Sequence, residues 1–230
     1  SENSREKELQ YIDLLYSHRV LGIVVCSHIG ETMEHLDSNC PLISFEREIA
    51  ENIPAVLCDN YQGGILAANR LFDAGCRNIA IFNPPTKENI PAYSREKAFM
   101  KCCENKKISG RVVYTDRLAP LSEEFGNNIL ELLKKNSDLD GIFATSDVMA
   151  ANIIRACKKM GKRVPEDISI VGFDDTWIST LTYPSITTIH QPVREMCEYA
   201  IEAIVKKVKS EKVPSQVVFP VELIDRESTK

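Results

Sequence analysis

Short apolar runs alternate along this chain with amphipathic stretches of three or four helical turns, and that alternation constrains the fold more than any single motif. The apolar runs are Leu21–Cys26, Pro41–Phe45, Ala55–Cys58, Asn78–Phe82, Arg111–Tyr114, Gly141–Thr145 and Ile168–Phe173. Each has the length of a buried strand. Helical spacing runs through Arg5–Ser17 (with Leu9, Ile12 and Tyr16 in step), Tyr61–Ala74, Ser94–Lys106, Glu123–Lys135 and Asp147–Met160. In Pro192–Lys209, Val193, Met196, Cys197, Ala200, Ile201, Ile204 and Val205 recur as one helical stripe, and Pro192 suits the first helical position. Asp59-Asn60, Ser122 and Ser146 stand where helices need caps, and Gly75 and Gly161 where they stop. Strands separated by helices join as parallel neighbours, so the expectation is an α/β protein built on doubly wound parallel sheets. Ligands of such sheets bind beyond the carboxyl ends of the strands, which singles out Ser27, Glu46, Asp59, Ser146 and Asp174.

Composition narrows the function. The 230 residues suit one or two domains, with 43% hydrophobic and 27% charged residues. A net charge of −5 and a pI near 5.5 give no electrostatic footprint for nucleic acid. No apolar run approaches the roughly 18–20 residues of a membrane-crossing helix, and no signal segment opens the chain. Ser1–Lys7 leads straight into a polar helix start, as expected of a piece of a longer protein. Eight cysteines, at 26, 40, 58, 76, 102, 103, 157 and 197, show no C-x-x-C and no nearby histidine pair. Cys26 and Cys58 fall in apolar strands and Cys157 and Cys197 on apolar helix faces, where free cysteine acts as a small buried hydrophobe. That usage implies a reducing, cytoplasmic setting.

Chemical motifs are sparse. There is no G-x-S-x-G, no G-x-x-x-x-G-K, no H-E-x-x-H and no G-x-G-x-x-G, so neither a catalytic residue, a cofactor nor a metal is expected. The Gly63-Gly64 pair sits at a helix start, and the four histidines form no spaced pair. Asp174-Asp175 has two readings: a carboxylate pair for acid–base or Mg²⁺ chemistry, or one aspartate capping a turn while the other accepts from a ligand. Arg95 opens a helix behind a proline-containing loop. An arginine is most often a solvated charge, but its planar fork can also hold vicinal hydroxyls or a carboxylate.

These residues resemble a family. DGIFATSDVMAANIIRACKKMGKRVPEDISIVGFDDTWISTLTYPSITTIHQP is similar to the carboxyl-terminal half of LacI/GalR regulators. DNYQGGILAANRLFDAGCRNIAIF resembles their D-N-x-x-G-G/A helix and strand. SREKAF resembles R-x-x-G-F with Ala98 in place of glycine, and VVFPVELIDREST resembles the closing strand. The resemblance runs from about Arg5 to Thr229 and implies a periplasmic-binding-protein-like type I core, two α/β subdomains joined by three crossovers. The crossovers are expected near Cys58–Asn60, Ile189–Pro192 and Glu211–Ser215. That puts 1–58 with 191–211 in an amino-terminal subdomain and 59–190 with 212–230 in a carboxyl-terminal one. The family's helix-turn-helix, hinge helix and first β-α-β unit are expected to precede Ser1, leaving the amino-terminal subdomain incomplete.

For function, the resemblance implies the sugar-sensing and dimerisation region of a repressor, taking a sugar or sugar phosphate in the cleft and changing operator affinity allosterically. Operator DNA would be met only through the head. Arg95 matches the ligand-gripping arginine, Asp174 the aspartate accepting from the same ligand, and Ser146 the polar helix start. Leu121 holds a place where relatives often stack an aromatic ring, which leucine cannot supply. Glu46, Asp59 and Gln191 match strand-end and crossover positions, equally suited to ligand contact or to a hinge or cap role. Trp177, Ile178 and Leu181 supply an apolar strip for a homodimer. Two other classes are open to a chain of this pattern. A secreted sugar-binding protein shares the fold, but dispersed cysteines and the ELIDREST tail point away from it; an enzyme lacks any nucleophile–base or metal constellation.

Overall fold

The computed structural model describes residues 4–26, 35–36, 40–85 and 90–230; Ser27 and residues 86–89 of the proline-containing loop lie outside them. The described elements are α1 (Arg5–Ser17), β1 (Ile23–Val25), β2 (Leu42–Phe45), β3 (Ala55–Cys58), α2 (Asn60–Asp73), β4 (Asn78–Asn83), α3 (Tyr93–Lys106) and β5 (Ser109–Tyr114). They continue with α4 (Glu123–Lys135), β6 (Gly141–Ala144), α5 (Asp147–Lys159), β7 (Ser169–Asp174), α6 (Ile178–Leu181), β8 (Thr187–His190), α7 (Val193–Val208), β9 (Gln216–Phe219) and β10 (Glu222–Ile224). The expected caps do cap. Asp59 accepts from the Gln62 amide at 2.8 Å, Ser122 from Phe125 at 3.1 Å and Ser146 from Met149 at 3.2 Å. Each satisfies an amide that the first helical turn leaves without a partner.

The chain divides into two compact units. The first takes the described residues of Ser1–Cys58, Asn89–Pro91 and Pro192–Phe219; the second those of Asp59–Glu88, Ala92–Gln191 and Pro220–Lys230. The first unit carries a four-stranded parallel sheet in the order β1-β2-β3-β9. Ile23, Val25, Leu42 and Ile53 form a core there, with Leu15 and Tyr16 of α1 packed against it. On α7 the buried stripe is Met196, Ala200, Ala203 and Ile204.

The second unit carries a six-stranded sheet in the order β10-β8-β7-β6-β4-β5, parallel except for β10. Phe99, Phe143 and Phe173 follow one another through its core at ring separations of 5.8 and 6.3 Å. From β4 the chain steps outward to β5 and then back across to β6, so the connections leaving β4 and β6 part company. That switch point is where an open α/β sheet leaves a crevice for ligands.

Four expectations need correction. The third boundary falls after Phe219 rather than at Glu211–Ser215, because residues 216–219 pair with β3, from Ala55 opposite Gln216 to Cys58 opposite Phe219. The single closing strand is therefore two. Pro220 interrupts it, having no amide to give a ladder, and residues 222–224 then run antiparallel to β8 in the other sheet. The α7 stripe is narrower than expected: Val193, Ile201 and Val205 are largely exposed and Cys197 is exposed too. Cys26, just past the end of β1, is also exposed, whereas Cys58 and Cys157 are buried as expected.

Candidate ligand-binding site

The site grows from the carboxyl ends of β4, β6 and β7. Arg95, in the first turn of α3, is only 7% exposed. Its guanidinium carbon lies 3.5 Å from the centre of the Phe173 ring, Nη1 donates to the Thr145 carbonyl at 3.2 Å, and Nε donates to Oδ1 of Asn60. Cation–π contact below and acceptors at the edge hold the fork in one orientation. The close approach of α2 and α3 makes this possible. A side chain at Gly64 would place its Cβ 2.3 Å from the Arg95 carbonyl oxygen, so only glycine lets the helices meet there.

One residue along from Arg95, Glu96 is a buried carboxylate at the same switch point. It accepts from Nδ2 of Asn83 and from the Tyr114 hydroxyl, both at 3.0 Å, while the Thr145 hydroxyl donates to Oδ1 of Asn83 at 3.2 Å. Burial pushes the Tyr114 hydroxyl above its ordinary pKa and the neighbouring Glu96 pushes it further, so it is a protonated donor at neutral pH. Arg95 thus stands at the edge of a connected polar floor.

Beside it, Asp174 and Asp175 end β7 in left-handed backbone, at φ of 101° and 57°. Non-glycine residues adopt such angles at a cost and keep them where surroundings enforce them. The enforcement is visible. Gln191 donates from Nε2 to Asp174 at 2.7 Å; Asp175 accepts from Arg226 at 2.7 Å and Ser179 at 3.2 Å, with His190 Nδ1 3.0 Å away. Burial raises the Asp175 carboxyl, but Arg226, His190 and Ser179 outweigh it and hold the group below the usual carboxylate range.

The structure seats Arg95 on Phe173, the residue before Asp174, and on the carbonyl of Thr145, the residue before Ser146. Gln191 reaches Asp174 itself, and Asp59 and Ser146 cap α2 and α5. Glu46, in the first unit, accepts from the Cys58 amide at 2.5 Å and ties the ends of β2 and β3 together. Leu121 is 86% exposed in the turn before α4. Asn60, Asn83, Glu96, Tyr114, Thr145 and Phe173 are further members of the candidate site that the sequence does not single out. For Asn60 the signal was present, an asparagine directly after a cap residue that already filled the capping role. No group of three or more His, Cys, Asp or Glu among the described residues is placed to hold a metal ion, and no helix among them is long and apolar enough to cross a membrane.

A parallel sheet with a switch point between β4 and β6 is the architecture on which open α/β folds hold ligands. Residues 68–229 match the family described as "Periplasmic binding protein-like domain". The ribose operon repressor of Halalkalibacterium halodurans is 32% identical over 226 residues, covering 98% of this chain and 67% of that protein. The sucrose operon repressor of Lactococcus lactis subsp. lactis is 28% identical, covering 97% and 68%. A periplasmic binding protein/LacI transcriptional regulator from Alkaliphilus metalliredigens, solved in complex with D-xylulofuranose, superposes with a TM-score of 0.84 at 33% identity over 99% of this chain and 84% of that one. The chain belongs to the LacI/GalR family of transcription regulators and carries its periplasmic-binding-protein-like domain. Members of that family regulate transcription rather than catalyse reactions.

Proposed function

We propose that this chain is the sugar-sensing region of a repressor of a sugar-utilisation operon, and that the sugar binds at the carboxyl ends of β4, β6 and β7. The observation that carries this reading is Arg95: a buried guanidinium, held flat by Phe173 and aimed by Asn60 and Thr145, beside an aspartate held by Gln191. A donor fork seated on Phe173 and an acceptor at the next residue of β7 match the alternating demands of vicinal hydroxyls. Relatives named for ribose and sucrose operons, and the relative solved with D-xylulofuranose, support a sugar as the ligand class. A plain sugar suits the site better than its phosphate, because the site offers one arginine and the carboxylate of Asp174, and a phosphate would favour a second cation. Ser146, Asp59 and Gln191 act by shaping these strand ends, and Glu46 as a clamp within the first unit. Leu121 gives the site at most an aliphatic contact.

In the whole regulator, ligand shifts the population of conformations and so the affinity for operator DNA, a coupling of about 1–3 kcal/mol being enough for a useful switch. Operator contact is made outside residues 1–230, which bear a net charge of −5. Two copies associate through Trp177, Ile178 and Leu181. The test is titration calorimetry with ribose, sucrose and xylulose on the parent chain and on Arg95→Ala. Loss of a charged hydrogen bond is worth about 1.5–3 kcal/mol, so the variant should bind at least ten-fold more weakly. Unchanged affinity would remove Arg95 from the site, and no binding of any sugar by the folded parent would remove the function.

A further inference from the structure

We propose that Cys26 and Cys197 form a thiol pair that closes to an intramolecular disulfide by exchange with a low-molecular-weight disulfide. Both residues belong to the first unit, whereas Arg95 and Asp174 belong to the second, and both are free and exposed.

The geometry comes from how α7 lies on the four-stranded sheet. A Cβ on Gly22 would fall 2.6 Å from Cγ2 of Ile204, so α7 crosses the start of β1 at that residue. α7 leads by a short connection into β9, which is parallel to β3, and so it runs back against the strand direction. Two helical turns back from Ile204, about 10.5 Å along the axis, the same side of the helix carries Cys197. Four residues on from Gly22, about 13 Å along the strand, the chain reaches Cys26. The two thiols therefore stand at the same level, at the carboxyl end of β1 and the amino end of α7. Their electrostatics agree: partial burial raises the Cys26 thiol above its ordinary pKa, Cys197 raises it further, and Arg47 opposes both.

Four of the other six thiols are poor competitors. Cys58, Cys76, Cys103 and Cys157 are buried, and burial pushes Cys103 and Cys157 up to about 11, leaving little thiolate at neutral pH. In the exchange, the Cys197 thiolate attacks one sulfur of the incoming disulfide, forming a mixed disulfide and releasing one small thiol. The Cys26 thiolate then attacks Cys197 Sγ and displaces the second small thiol. Two protein thiols are oxidised, one external disulfide is reduced to two thiols, and the two protons pass to those leaving thiolates. The bond would tie the first turns of α7, directly after the chain enters the first unit at Pro192, to the end of β1.

Oxidised glutathione titrated into the intact chain, followed by alkylation of remaining thiols and peptide mapping, tests the pair. The expected product is one cross-linked peptide pair carrying Cys26 and Cys197 in a monomer, dissolved by dithiothreitol, with a raised thermal midpoint that returns on reduction. Cys26→Ser and Cys197→Ser, both at exposed positions, should each trade the cross-link for a stable glutathione adduct on the surviving thiol. A parent in which both cysteines carry glutathione with no cross-link would overturn the proposal. So would two thiols that stay free throughout, or a bond that joins Cys197 of two copies.

Discussion

Gly172 stands where any side chain would meet the buried carboxylate of Asp147. Its Cβ would lie 2.5 Å from Asp147 Oδ1 and 2.9 Å from Ile186 Cγ2. The carboxylate has nowhere to go, because the Thr188 hydroxyl donates to it at 2.6 Å and the Thr176 amide and hydroxyl at 2.6 and 3.1 Å. Burial pushes this carboxyl above its ordinary pKa, against the pull of those three donors. Gly172→Ala should therefore lose about 1–3 kcal/mol of stability, the usual penalty for overfilling a close-packed core. Urea unfolding followed by circular dichroism measures it, and an unshifted midpoint would mean that Asp147 is not clamped. At this scale the sequence is legible only in part. Ser146 and Asp59 announce themselves, because a short polar side chain before an apolar helical stretch has one common use. Arg95 does not: its acceptor Asn60 is 35 residues away in the chain, and only the fold brings them together. Glu96 reads as a solvated charge until the ends of β4 and β5 place Asn83 and Tyr114 against it.

At the scale of elements, the crossover from β7 through α6 to its parallel neighbour β8 is held by Asp175 and by residues 226–228. Arg226 donates to Asp175 and to the Ile186 carbonyl at 2.9 Å, and the Ser228 hydroxyl donates to the Ile170 carbonyl at 2.6 Å. The folded Asp175 carboxyl lies below its ordinary value, while the unfolded one titrates near 3.9. Its contribution is thus complete at neutral pH and is lost as pH falls through the ordinary carboxylate range towards the folded value. Asp175→Asn should lower the thermal midpoint at pH 7, and the gap from the parent should close as the pH approaches 3. A gap independent of pH would assign the loss to packing instead of charge. The strands that pattern reading recovered, such as β4 and β6, are continuous apolar runs covered on both faces. β8 escaped because its first two residues are threonines, buried only once Asp147 and Thr229 supply partners. The β9–β10 break escaped because one continuous motif spans Pro220, and nothing in the spacing says that its halves serve different sheets.

For the whole molecule, the proposed dimer turns on the surface that follows β7. Trp177 is 71% exposed, Leu181 72% and Tyr183 is nearly bare. Single exposed apolar residues are ordinary, but a tryptophan, a leucine and a tyrosine within seven positions of one short segment make a patch. Two-fold symmetry buries such a patch twice with one set of residues, since each copy presents the same face. It also begins three residues after Asp174, so a change in the backbone at 174–175 on ligand binding has a short path to the interface. Trp177→Glu places two like charges face to face in the dimer and leaves the buried core of the second unit untouched. Sedimentation velocity at tens of micromolar should show the parent as a dimer and the variant shifted to monomer, with circular dichroism unchanged. A monomeric parent would sink the dimer. A variant that stays dimeric would move the interface elsewhere, and the exposed flank of α7 (Val193, Ile201 and Val205) is the surface to charge next: if Ile201→Glu then dissociates the protein while Trp177→Glu does not, the copies meet through the first unit and not the second.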